Sequence, residues 1–179
     1  MKTDNNIRSY IKENEARFLD ELFSLIRIPS ISAEPAHKAD MLQCAERWRE
    51  LLIAAGVDHA EVMPSAGNPL VFAEKHVDDD APTVLVYGHY DVMPVDPLEL
   101  WLSVPFEPEV RDERIFARGA DDDKGQSFIQ LKAFEYLVRT RQLNHNVKFI
   151  FEGEEEIGSP SLNGFLQQHH DLLKCDIIL

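Results

Sequence analysis

The sequence predicts an α/β fold, a largely parallel sheet flanked by helices. Three observations predict it. Short apolar runs rich in β-branched residues, TVLVYG (Thr83 to Gly88) and NVKFIFEG (Asn146 to Gly153) above all, read as strands buried on both faces. Longer segments between them carry apolar residues at helical spacing. The two kinds alternate along the chain with no repeat, low-complexity tract or linker, and 179 residues suffice for one well-packed domain.

Taken in order, residues 5–27 place Ile7, Tyr10, Ile11, Phe18, Leu22, Phe23 and Ile26 on an amphipathic helix. IRIPSIS ends it, because Pro29 disfavours helix in the residue before it. A second helix spans 38–55, with Met41, Leu42, Ala45, Trp48, Leu51 and Leu52 on one face and Gly56 as its stop. Short strands follow near 58–63 and 70–76, divided by the turn-rich PSAGNP. HVDDDAP reads as a solvated polar loop, and TVLVYG as a central strand. A proline-rich loop from Met93 to Glu113 leads to the short strand RIFARG. Gly125 to Thr140 is helical, striped with Phe128, Leu131, Phe134, Leu137 and Val138. NVKFIFEG is a strand, 159–173 a helix, and CDIIL the opening of a further strand.

Acidic residues outnumber basic ones 32 to 18, for a formal charge of −14. That argues against a nucleic-acid partner, since no basic face is available to displace counterions from phosphates, and against an anionic membrane surface. Cys44 and Cys175 form no Cys-x-x-Cys pair and read as reduced thiols. MKTDNNIRSYIKENEARF has no signal-peptide core, and no window approaches a transmembrane length, so the expected location is the cytoplasm.

In open α/β sheets, ligands gather beyond the carboxyl ends of the strands, and three clusters of potential metal ligands fall there. GHYDVMPV follows TVLVYG; His89 and Asp91, two apart, point to the same side of extended backbone. Alone, this pair is also compatible with a surface histidine and an unrelated turn aspartate. ARGADDDKGQ runs into a helix, where one aspartate is an ordinary cap; a cap explains neither three aspartates nor the flanking Arg118 and Lys124. FEGEEEIGS sets Glu154, Glu155 and Glu156 side by side, although adjacent carboxylates repel unless solvated or paired with a cation. One imidazole with several carboxylates suits a hard or borderline divalent ion, Zn²⁺ among them.

GHYDVMPV, Trp101 in a loop ending PFEPEV, ARGADDDKGQ and FEGEEEIGS, in that order, resemble the motifs of carnosinase-like dipeptidases. These belong to the dinuclear zinc peptidase family that also holds aminoacylases, glutamate carboxypeptidases, acetylornithine deacetylases and succinyl-diaminopimelate desuccinylases. The resemblance spans essentially the whole chain. It implies that His89, Asp122 and Glu156 are metal ligands, Asp122 bridging two ions, with a cis peptide after it. It implies that Asp91 orients and polarises His89, and that Glu155 is the general base for a zinc-activated water attacking an amide. Two zinc ions per complete site are implied, with Mn²⁺ or Co²⁺ as substitutes. Glu154 and Asp121 match no family ligand and are expected to be solvated or helix-associated neighbours.

The family pattern extends further than this chain, through another carboxylate, a late histidine and an inserted domain with dimer contacts. Residues 1–179 are therefore expected to be the N-terminal portion of a metallopeptidase catalytic domain, with little activity alone and a homodimer as the full-length state. Asp176 precedes its apolar run and is expected at the wrong end of its strand; His169 and His170 read as a solvated helix face. The expected substrate is a dipeptide or small peptide. An N-acyl amino acid deacylase would use the same residues, and a non-catalytic acidic metal-binding fragment is the reading from a different class.

Overall fold

Residues 2–179 are described by a computed structural model. The N-terminal apolar stripe forms α1 (Lys2–Ile26), whose last turns bury Leu22, Leu25 and Ile26. α2 (Lys38–Ala55) keeps its expected bounds and buries Met41, Ala45, Trp48, Leu51 and Leu52; Leu42 lies off that face, 52% exposed. Gly56 closes α2 at φ 107°, its N–H donating to Leu52 O and Ile53 O, a left-handed cap that a side chain would oppose. The strands are β1 (His59–Met63), β2 (Leu70–Lys75), β3 (Thr83–His89), β4 (Glu109–Arg111), β5 (Arg114–Phe116), β6 (Asn146–Glu152) and β7 (Ile177–Ile178). α3 (Lys124–Arg139) lies between β5 and β6, and α4 (Leu162–Gln168) between β6 and β7.

The main sheet has five strands in the order β1-β2-β6-β3-β7. Alternation along β6 divides the core. Phe149 and Phe151 meet Trp48, Leu52, Val86, Phe128 and Leu131 on the face covered by α1, α2 and α3. Ile150 meets Leu70, Phe72, Leu85, Phe165 and Leu173 on the α4 face. Trp48 and Phe151 lie 4.7 Å apart, centroid to centroid. Truncating such a buried ring costs about 3–5 kcal/mol, so the strand ends that carry the candidate site stand on a rigid base.

The predicted α/β fold is present, with three differences. The sheet is mixed: β3 pairs with β6 and β7 in parallel, but β1–β2 and β2–β6 are antiparallel. The short PSAGNP connection reverses the chain, which allows only an antiparallel partner. RIFARG does not join the main sheet. It pairs with β4 in a separate hairpin whose turn residues Asp112 and Glu113 both take positive φ, 49° and 61°, without the glycine that normally marks such a turn. Finally, the helix expected over 159–173 is confined to α4. Ser159 takes φ 50° ahead of it, and after His169, whose ring lies 4.4 Å from Phe165, the chain continues in turns.

Lys124 answers the question its position raised. It is fully buried, and its Nζ donates to Leu25 O (3.0 Å) and Ile28 O (2.7 Å), tying the start of α3 to the end of α1. Arg118 donates to Pro94 O and lies over the Trp101 ring. Both cysteines are free thiols, as expected.

Candidate metal centre

Parallel pairing sets the last residue of β3 beside the last residue of β6, His89 opposite Glu152. The loops leaving these two ends and the loop entering α3 build one cluster around His89, which is only 7% exposed. Its Nδ1 lies 3.2 Å from the Asp91 backbone oxygen and 3.3 Å from Asp91 Oδ1. Its Nε2 faces Asp122 Oδ1 at 3.1 Å and Glu155 Oε2 at 3.9 Å. Asp123 accepts the His89 N–H (3.0 Å) and the Ser127 hydroxyl (2.6 Å), which fixes the α3 entry against β3. The Asp122–Asp123 peptide is cis, as the resemblance implied.

Asp91 is fully buried, and its carboxylate gathers three donors. They are the Ser32 hydroxyl (2.6 Å), the Glu155 N–H (3.2 Å) and the Glu156 N–H (3.0 Å). One aspartate thus touches the imidazole and holds the backbone of both glutamates.

The charges in the cluster strain against one another. Burial alone would lower the His89 pKa, but the Asp91 hydrogen bond and the charges of Asp91, Asp123 and Glu155 push it up to about 9. Metal coordination needs the neutral ring, so binding at Nε2 is linked to loss of that proton. Burial and the Asp122 charge raise the Glu156 pKa. Glu152 is raised by burial despite hydrogen bonds from Tyr87 (2.5 Å) and Ser159 (2.9 Å).

In donor type these residues fit a divalent cation: an imidazole nitrogen faced by two carboxylate groups, with a third carboxylate, Glu156, anchored beside them. In spacing they do not close a cage, since among the described residues no group of three or more His, Cys, Asp or Glu stands at ligand distances.

His89, Asp91, Asp122 and Glu155 are therefore brought together, and Glu156 is anchored beside them through its backbone. Asp121 is exposed, as expected. Asp176 accepts the Thr83 N–H at 2.8 Å, at the opposite end of β3 from His89. His170 is exposed, and His169 stacks on Phe165 rather than lying on a solvated face. The expectation for Glu154 is corrected: it is 6% exposed, and the glutamate open to solvent is Glu155. Burial of Glu154 is sustained by backbone N–H donors from Asn68 and Ser161, both at 3.0 Å. Sequence reasoning also missed Ser32 and Asp123. Asp123 stood inside a noticed cluster; nothing near Ser32 pointed to Asp91, 59 residues on.

No described helix is long and apolar enough to cross a membrane. The model for "Peptidase family M20/M25/M40" matches residues 85–178. Beta-Ala-His dipeptidase of Homo sapiens is 36% identical over 179 residues, covering 90% of this chain and 34% of that protein. Cysteinylglycine-S-conjugate dipeptidase of Corynebacterium striatum is 31% identical over 167 residues, covering 92% and 36%. The crystal structure of the M20 family metallo-carboxypeptidase Sso-CP2 from Sulfolobus solfataricus superposes with a TM-score of 0.83 at 37% identity, over 90% of this chain and 36% of that one. The chain thus spans about a third of the length of these relatives. The fold is that of the M20 metallopeptidase catalytic domains on which it superposes. The chain belongs to peptidase family M20/M25/M40.

Proposed function

We propose that this chain is the N-terminal portion of the catalytic domain of a metal-dependent dipeptidase that cleaves the amide bond of dipeptides or small peptides. The observation that carries the reading is the convergence of Asp122 and Glu155 on one nitrogen of His89, while Asp91 grips the other side of the ring and the backbone of Glu155 and Glu156. The relatives named as dipeptidases support the substrate class. The full-length protein is proposed to be a cytoplasmic homodimer.

His89, Asp122 and Glu156 would hold the metal, which we propose to be zinc, two ions per complete site. When bound, the metal supplies Lewis acidity and makes water a nucleophile near neutral pH. Glu155, half exposed beside these ligands, takes the proton of the attacking water and delivers it to the leaving amine. Asp91 holds the His89 ring so that Nε2 points at Asp122. Its two backbone contacts keep base and ligand at fixed separation.

The test is Glu155→Gln in the full-length protein. The variant is expected to keep its metal and lose turnover of dipeptides by about a hundred- to ten-thousandfold, the range of a general base's contribution. Normal turnover would remove Glu155 from the mechanism. Assaying N-acetyl amino acids alongside decides the substrate class: faster cleavage of those than of dipeptides would make the enzyme a deacylase.

A further inference from the structure

We infer that Glu154 is a positioning residue, whose buried carboxylate latches the loop before β2 and the start of α4 onto the segment carrying Glu155 and Glu156. The inference rests on the roles proposed for those two glutamates. Glu154 Oε1 accepts the Asn68 N–H (3.0 Å), and Oε2 accepts the Ser161 N–H (3.0 Å). Its backbone oxygen accepts Ile157 N–H (3.1 Å) and Ser159 N–H (2.8 Å). Four backbone donors from both sides of the segment therefore end on one residue.

The loop is shaped to receive it. Asn68 Nδ2 donates back to Gly153 O (2.9 Å). The Ser65 hydroxyl donates to Asn68 O (2.6 Å) and accepts the Gly67 N–H (2.9 Å). A Cβ at Gly67 would overlap Glu154 Oε1, so a side chain there would displace the carboxylate from this seat. A glutamate left in water would need none of this, and a carboxylate buried to 6% exposure is costly unless its oxygens are satisfied.

The latch completes a clamp. Asp91 holds the N–H groups of Glu155 and Glu156, and Glu154, the residue immediately before them, is pinned by Asn68 and Ser161. Together they leave the base and ligand little freedom to drift from His89 and Asp122. Displacement of a reacting group by about 1 Å can cost a hundredfold in rate, so the clamp acts on turnover rather than on substrate affinity.

Glu154→Gln places an amide where two N–H donors need acceptors, and Gly67→Ala evicts an unaltered carboxylate from its seat. In the full-length, metal-loaded protein, each is expected to lower kcat about ten- to a hundredfold, with KM within about twofold, and to weaken metal binding in chelator competition by about tenfold. Wild-type kcat and metal affinity, with only a lowered Tm, would overturn the inference and leave Glu154 a stability element. Glu155→Gln, run alongside, separates the two failures. If it is inactive while Glu154→Gln and Gly67→Ala are normal, the latch alone is wrong. If it turns over normally, the roles on which the latch rests are wrong, and the latch falls with them.

Discussion

Asp91 holds Glu156 in place: its buried carboxylate accepts the Glu156 backbone N–H at 3.0 Å, while the same residue contacts the His89 ring. The family resemblance implied only the contact to His89. The backbone contact adds a mechanical role, coupling the imidazole on β3 to the glutamates beyond β6. Asp91→Asn turns one oxygen into a donor facing an N–H, and removes the charge beside the imidazole. We expect it to weaken metal binding and to lower kcat/KM, each by about ten- to a hundredfold. Ser32→Ala, which removes only the hydroxyl donor at 2.6 Å, should cost less. Steady-state kinetics and chelator competition on the full-length protein check both.

Lys124 predicts a stability effect. Its buried ammonium serves two backbone oxygens, Leu25 O and Ile28 O. Lys124→Met keeps the stem and removes both charge-assisted bonds, while Leu25 O keeps the Ile28 N–H and Ile28 O the Ser30 N–H. It should cost about 2 kcal/mol or more, since a hydrogen bond from a charged group contributes about 1.5–3. A urea midpoint unchanged from wild type would show that water reaches those carbonyls.

Glu135 predicts a pH dependence. It is 1% exposed and meets Arg17 Nη2 at 2.6 Å and Lys132 Nζ at 2.7 Å. Burial alone would raise its pKa, but the Arg17 and Lys132 hydrogen bonds and charges hold it below its ordinary 4.5. A depressed folded-state pKa contributes stability that is fully present above 4.5 and lost as pH falls through the lower folded value. Glu135→Gln should therefore flatten the acid limb of Tm against pH. At neutral pH it should cost about 2 kcal/mol as lost charge-assisted hydrogen bonds, since Lys132 and Arg17 both keep Glu21 as a partner. Parallel acid limbs in wild type and variant would contradict this.

What the sequence made legible was whatever declares itself locally. α2 and its stop at Gly56 were readable because apolar period and cap coincide within one segment. His89, Asp122 and Glu155 were readable because each stands in a cluster beside an element end. The β4–β5 hairpin was not, because Asp112 and Glu113 take positive φ without the residues that announce it. Glu154 was misplaced in solvent for a related reason. Its partners are the amides of Asn68, 86 residues away, and of Ser161, and a backbone N–H leaves no mark in composition or periodicity.

Whether the loops beyond β3 and β6 and before α3 form one metal site is read from metal content. The full-length protein would be stripped, reconstituted with zinc and compared with His89→Ala, Asp122→Ala, Glu156→Ala and Asp176→Ala. Zinc is expected in the wild type and in Asp176→Ala, since the Asp176 carboxylate caps the far end of β3. In the other three, zinc should be lost or bound markedly more weakly. Zinc content and affinity equal to wild type in His89→Ala and Asp122→Ala would mean that these loops do not form the metal site.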